Sequence, residues 1–366
     1  MTRAVYICGD VVGAPGGAGA VTFHEVNALK AVFDDVTVLD GAVLTPSYYY
    51  HLGIPFLQDY FTVAHLEHLS TTVGPFMHGH FYSNGFTEAV WWLKQHGATV
   101  TYSTPAHDPA VSTEEFRLQT QNAHFPYPHI ADPELYRLHG QGLVDADLVI
   151  AASSGSQRVV RDLGAKNVIV IPHGTEWPET VPPFPERFAV GYLGQAGTDK
   201  GLVYLLRAVN LLKDLNIRLV IASQSPVEGM VRREVGHGDV CLIGHVEKLS
   251  DFFQQVSVYC QPSVSEGFGI PALEAMAYGR PVIASVGAGS SDVVNEAGGI
   301  CVGVRSVDEV AEAIRLFRDY PGLIIEHGER NRRVAQKYTW AKVEQMYRDV
   351  FMAFACSERK EYRTPC

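Results

Sequence analysis

Ser265-Glu266-Gly267-Phe268-Gly269-Ile270-Pro271-Ala272-Leu273-Glu274-Ala275-Met276-Ala277-Tyr278-Gly279-Arg280-Pro281 lies between two short apolar runs, Val258–Gln261 and Val282–Ser285. The flanking runs read as strands and the Ala/Leu/Met-rich centre as a helix, with Pro271 suited to its first turn. Strand, glycine-punctuated turn, helix and strand make a βαβ unit, the building block of a parallel sheet. Two glycines let a ligand come close to the backbone. The N–H groups of Gly267, Phe268 and Gly269 fall at a helix N-terminus, where unsatisfied donors suit an anion or a hydroxyl. Glu274 sits among Ala272, Leu273, Ala275 and Met276, where a carboxylate must find partners or stay near water.

The same alternation extends both ways from this unit. Strand candidates before it are Ala4–Ile7, Val36–Leu39, Phe76–Met77, Thr99–Tyr102, Leu148–Ala151 and Val168–Ile171. A second set comprises Phe188–Leu193, Arg218–Ala222, Val240–Ile243, the two strands above and Gly299–Val302. Two comparable sets predict an α/β protein with two Rossmann-like domains, residues 1–172 and 173–338. Pro172, Pro178, Pro182, Pro183 and Pro185 mark the linker, since neither a helix nor a central strand accepts such a run. Past it, Asp199 reads as a helix cap, and Leu202, Leu205, Leu206, Val209 and Leu212 form one apolar face. An amphipathic helix at about 339–354 reads as packing, with a return to the first domain as its specific alternative.

Composition narrows the function. The chain has 366 residues, 46% hydrophobic and 19% charged, and a formal charge of −11. That balance argues against nucleic acid as the main partner, because phosphate binding needs a basic footprint. It also weakens attachment to anionic lipid, so peripheral membrane contact has no support from charge. No run reaches the roughly 20 apolar residues of a spanning helix. The start of the chain lacks a basic flank and a small-residue cleavage site, which argues against a signal peptide. The six cysteines are scattered without a Cys-x-x-Cys pair, predicting a reducing, cytoplasmic setting. His78 and His80 lack a third ligand at a telling spacing, so no metal site is predicted.

Taken alone, Glu266 and Glu274 beside a glycine turn would read as solvated surface. The whole string, with Glu-Ala-Met-Ala-x-Gly-x-Pro-Val following, resembles the retaining glycosyltransferases of family 4, whose signature is two glutamates separated by seven residues. The resemblance continues in Val170-Ile171-Pro172-His173-Gly174 and in Tyr192-Leu193-Gly194-Gln195-Ala196-Gly197-Thr198-Asp199-Lys200-Gly201. It implies the GT-B arrangement, two Rossmann-like domains facing a cleft, and metal-independent transfer of a hexose from a UDP-, GDP- or ADP-sugar, with no other cofactor. By the same resemblance Glu266 binds hydroxyls of the donor sugar and Glu274 the ribose. Gly267, Phe268, Gly269 and Ile270 give backbone contacts, Lys200 meets the diphosphate, and Ser223, His245 and Val246 flank the base. His107, in Thr104-Pro105-Ala106-His107-Asp108-Pro109, matches a histidine near the reacting sugar. Gln195 departs from the pattern, standing where Arg is usual.

Gly13-Ala14-Pro15-Gly16-Gly17-Ala18-Gly19 follows the first strand, and the resemblance places Gly16, Gly17 and Gly19 toward the diphosphate. Any tight strand-to-helix turn looks similar. Asp40, about twenty residues on, would suit a ribose contact in an NAD-dependent oxidoreductase, but the spacing is not Gly-x-Gly-x-x-Gly. A nucleotide-sugar epimerase would lack the paired glutamates. A catalytically silent nucleotide-sugar-binding protein is the rival of a different class, and Gln195 is the residue that suggests it. The aromatic stretch from Tyr48 to Phe61 reads equally as acceptor surface, membrane-facing edge or packing.

Overall fold

The computed structural model describes residues 2–8, 12–14, 16–40, 55–82, 86–106, 111, 114, 115, 118, 140–236 and 238–361, with side chains omitted at 55–61 and 357–361. His107 and residues 41–54 therefore lie outside the described residues. Contacts divide the chain into two units. The first comprises Met1–Ala106, Pro133–Gly174 and Trp340–Cys366; the second comprises His107–Asp132 and Thr175–Thr339.

In the first unit β1 (Arg3–Cys8), β2 (Asp35–Leu39), β3 (His78–Tyr82), β4 (Thr99–Thr104), β5 (Leu148–Ala151) and β6 (Val168–Val170) form a sheet of order β2-β1-β3-β4-β5-β6. Every neighbouring pair is parallel. Parallel strands covered on both faces read as continuous apolar runs, and Val5, Ile7, Phe81, Val100, Tyr102 and Val149 make the core.

The strand expected at Phe76–Met77 lies one step later. His78-Gly79-His80-Phe81-Tyr82 is wholly buried. Its imidazoles are satisfied inside the sheet: His78 meets Thr99 Oγ1 at 2.8 Å and Thr101 Oγ1 at 3.0 Å, and His80 meets Thr101 Oγ1 at 2.7 Å. Burial, with His80 alongside, lowers the His78 pKa to about 3 and keeps it neutral. A Cβ on Gly79 would come within 2.5 Å of Leu93 Cδ1. Two polar residues and a glycine conceal this strand from hydrophobic pattern.

The second unit repeats the architecture. Its strands are β7 (Ala189–Leu193), β8 (Arg218–Ala222), β9 (Val240–Ile243), β10 (Val258–Gln261), β11 (Val282–Ser285) and β12 (Ile300–Val302), in the order β12-β11-β10-β7-β8-β9. All pairs are again parallel. The helices that matter below are α1 (Gly17–Lys30), α2 (Leu202–Leu211), α3 (Ile270–Ala277) and α4 (Trp340–Glu361). The apolar face of α2 is fully buried: Leu202, Leu205, Leu206, Val209 and Leu212 are 6% exposed or less.

Asp199 is not the cap of α2. It belongs to a 3-10 turn, and Gly201 takes the cap position in the left-handed conformation. Helix α4 packs on α1 within the first unit, burying Trp340, Val343, Tyr347 and Phe351. Beneath it Glu25, wholly buried, accepts from the Tyr6 hydroxyl at 2.6 Å and from Ser103 Oγ.

Candidate active site in the second unit

Numbered from β7, the second sheet has its order reversal between β7 and β10. At such a point the connections leaving the two strands turn to opposite faces and open a crevice at the carboxyl ends, where open α/β sheets bind ligands. The segments concerned are 194–201 after β7 and 262–269 after β10. They are fastened to each other. The Asp199 carbonyl accepts the N–H of Val264 at 2.7 Å and of Ser265 at 3.4 Å. Gly201, at φ 68°, passes so close to Pro262 that a Cβ would lie 2.1 Å from the Pro262 oxygen. Only glycine satisfies both the backbone angle and the approach.

This fastening joins Lys200 to Glu266. Lys200 Nζ lies 2.9 Å from Glu266 Oε1 and 3.4 Å from Asp199 Oδ2. Burial pushes the Lys200 pKa down, but the carboxylates of Glu266 and Asp199 outweigh it and hold it above its ordinary value. The site therefore carries a fixed cation at neutral pH. The other carboxylate oxygen, Oε2, accepts from Ser263 Oγ at 2.6 Å and from Gln261 Nε2 at 2.8 Å. The Glu266 backbone bridges to the loop after β11: its N–H meets Gly287 O at 2.9 Å and its carbonyl takes the Gly289 N–H at 3.0 Å.

Gly269, at φ 94°, caps α3, and Ile270 begins it. A Cβ on Gly269 would reach Ser290 Oγ at 3.2 Å and Glu266 Oε2 at 3.4 Å. Gly267 is buried, as is the ring of Phe268. Glu274 lies on the second turn of α3, half-buried, and its carboxylate has no hydrogen-bond partner among the described residues. Burial pushes its carboxyl up to about 7.

The remaining predicted residues of this unit follow the ends of neighbouring strands. Gln195, after β7, is exposed, and its carbonyl accepts the Tyr192 hydroxyl at 2.6 Å. Ser223, after β8, accepts the Ser225 N–H at 3.1 Å, while Ser225 Oγ accepts the Ala196 N–H at 3.0 Å. Gln224 meets His245 Nδ1 at 3.0 Å, linking the segments after β8 and β9, and Val246 follows half-buried.

In the first unit Gly16, at φ 116°, caps α1, and Gly17 is its first residue. Gly19 is dictated by the loop itself, since its Cβ would lie 1.8 Å from the Ala14 oxygen. Asp40 Oδ2 accepts the Val12 N–H at 3.1 Å, a contact that holds this turn. Among the described residues no group of three or more His, Cys, Asp or Glu could hold a metal ion, and no helix is long and apolar enough to cross a membrane. No disulfide forms among the described residues.

Sequence reasoning missed Tyr259, Gln261 and Ser263, the supports of Glu266. The available signal was a glutamine closing an apolar strand just ahead of an acidic turn. It also passed over Arg280, which is 1% exposed. That guanidinium donates to the carbonyls of Phe253 (2.9 and 3.0 Å), Pro182 (2.8 Å) and Pro183 (3.1 Å), and stacks 4.2 Å from the Phe184 ring. It ties the proline-rich segment to the second unit.

The family described as Glycosyl transferases group 1 matches residues 187–319, the stretch that contains Gln195, Lys200, Glu266 and Glu274. Among curated relatives, the D-inositol 3-phosphate glycosyltransferase of Streptomyces griseus subsp. griseus is 34% identical over 118 residues, 32% of this chain and 25% of that protein. The capsular polysaccharide biosynthesis glycosyltransferase CapM of Staphylococcus aureus is 29% identical over 175 residues, 44% of this chain and 46% of that one. The matched regions thus span less than half of these relatives. Among solved structures, sucrose-phosphate synthase from Thermosynechococcus elongatus superposes with a TM-score of 0.74 at 20% identity, over 96% of this chain and 100% of that chain. WaaG, a glycosyltransferase involved in lipopolysaccharide biosynthesis, gives 0.69 at 13% identity over 94% and 99%. The fold is α/β with two parallel sheets and flanking helices, as in these GT-B glycosyltransferases.

Proposed function

We propose that this chain is a glycosyltransferase that moves a hexose from a nucleotide-diphosphate donor to an acceptor with retention of anomeric configuration. The observation that carries this reading is the Lys200–Glu266 pair at the strand-order switch of the second sheet. A fixed cation beside a braced carboxylate, at the mouth of a glycine-opened helix, suits a ligand that joins a hydroxyl-bearing ring to a diphosphate. The group 1 match over the same stretch supports it. So does a fold neighbour at 15% identity, HepE of Anabaena, whose crystal structure is a complex with UDP and glucose.

In this reading Glu266 Oε1 accepts from hydroxyls of the donor sugar, and the backbone from Gly267 to Ile270 lines the ring. Glu274 accepts from the ribose hydroxyls. Ser223, His245 and Val246 flank the base. Lys200 faces the diphosphate, where negative charge grows as the glycosidic bond breaks. A cation already in place stabilises that charge without reorganisation. No divalent ion is assigned to the leaving group, so activity should persist in excess EDTA, and an absolute Mg²⁺ or Mn²⁺ requirement would overturn that assignment.

A second reading, nucleotide-sugar binding without transfer, draws on Gln195, an exposed neutral amide that adds no second cation. One experiment separates the two. A panel of UDP-, GDP- and ADP-sugars is scored for donor hydrolysis and for thermal shift. Hydrolysis or transfer with one donor supports the enzyme; a shift without turnover for every donor supports the binder.

A further inference from the structure

Behind Glu266 runs a chain of hydrogen bonds that the transfer chemistry does not itself touch. Tyr259 and Gln261, two residues apart on β10, point to the same face of the sheet and are 0% and 3% exposed. The Tyr259 hydroxyl donates to Gln261 Oε1 at 2.8 Å and also lies 3.2 Å from Leu193 O. With its oxygen engaged there, the amide turns Nε2 the other way, to Ser263 Oγ at 2.7 Å and Glu266 Oε2 at 2.8 Å. Ser263, accepting from that amide, has one proton left to give, and it goes to the same Oε2 at 2.6 Å. The chain is directional. Tyr259 has a proton and no charge, because burial, with Tyr192, Glu266 and Glu274 nearby, holds its pKa well above the ordinary value.

These donors saturate one edge of the carboxylate and leave the other to Lys200. A glutamate side chain turns about three bonds, and a single ion pair in a half-open crevice does not select one arrangement. Three groups in series do, because each orientation is set by the one before it. We propose that Tyr259 and Gln261 are positioning residues: they pin Oε2 of Glu266 so that Oε1 and the Lys200 ammonium are presented together to the bound ligand. The kinetic consequence rests on the donor reading above; the geometric one does not. Displacing a substrate-orienting group by about 1 Å costs on the order of 10²-fold in rate, and supporting side chains of this kind set that tolerance.

The test compares the parent with Gln261→Met, which keeps length and loses the amide, and with Tyr259→Phe, which loses one oxygen. Each is measured for donor kcat and KM and for nucleoside diphosphate affinity, and each is crystallised. In Gln261→Met, kcat should fall roughly 10- to 100-fold, with donor KM and diphosphate affinity unchanged and Glu266 turned away from Lys200. Tyr259→Phe should shift the same quantities in the same direction by less. The double variant should be no worse than Gln261→Met, as expected of a serial chain. Parental kcat in Gln261→Met, or equal losses of kcat and diphosphate affinity, would overturn the proposal. So would a crystal structure of either variant with Glu266 unmoved. If Gln261→Met does not fold, Tyr259→Phe carries the comparison. If the parent turns over no donor, the enzyme reading fails, and the orientation of Glu266 in the variant crystals decides the positioning role alone.

Discussion

Replacing Glu274 by glutamine removes an ionisable group and keeps its size and hydrogen-bonding capacity. In the folded chain burial pushes this carboxyl up to about 7, from 4.5 for an ordinary glutamate. Between those values the folded chain holds a proton that the unfolded chain releases, so stability falls as pH rises across the window and levels off above it. The difference corresponds to about 3 kcal/mol of unfavourable ionisation at pH 8. Glu274→Gln abolishes this cost. The variant is expected to exceed the parent in unfolding free energy by up to about 3 kcal/mol at pH 8 and to match it at about pH 4, below both values. Urea unfolding of both proteins at the two pH values measures the difference. The same substitution should weaken nucleoside diphosphate binding at pH 8 by about 1 kcal/mol, the difference between a charge-assisted and a neutral hydrogen bond. Correspondingly, parental affinity should drop as pH falls below about 7. A stability gain equal at both pH values, or a variant that binds nucleotide like the parent at pH 8, would refute the reasoning.

Four further substitutions probe the framework. Lys200→Ala should lower turnover by on the order of 10²-fold, the usual loss on removing one transition-state donor; Gln195→Arg, if its guanidinium reaches the diphosphate, should tighten nucleotide binding in a parallel titration. Arg280→Met leaves the carbonyls of Phe253, Pro182 and Pro183 without their buried donor, at about 1 to 3 kcal/mol for each unsatisfied group. Denaturant midpoints should report a loss of at least about 3 kcal/mol. Gly201→Ala forces a side chain into left-handed backbone against the Pro262 oxygen. It should lose more than the roughly 1 to 2 kcal/mol of the backbone angle alone, and donor turnover should fall with it as Lys200 separates from Glu266.

Much of the candidate site was legible because its residues are linked by short-range chemistry. The Glu266-to-Glu274 spacing lies within one turn-and-helix segment, and Lys200 within one turn. The supports of Glu266 were not. Gln261 ends an apolar strand and gives no outward sign of where its amide points. That direction depends on a Tyr259 proton and a Ser263 hydroxyl, which pattern reading ranks as core and loop. The cap assigned to Asp199 failed for a related reason: its carboxylate bonds Lys200, and its carbonyl holds the segment after β10.

Local pattern was enough to establish an α/β chain of parallel strands, because short apolar runs between glycine- and proline-marked turns bury both faces of a sheet and little else. It placed eleven of the twelve described strands to within a residue or two and missed β3, where buried imidazoles stand in for apolar side chains. Only the tertiary structure decided which strands are neighbours. Lys200 and Glu266 are 66 residues apart and meet because β10 pairs with β7 and not with β9. Alternation along the chain is the same for either order. The choice is made by which helix faces and sheet faces exclude water together, a property of the assembled core that no window of sequence contains.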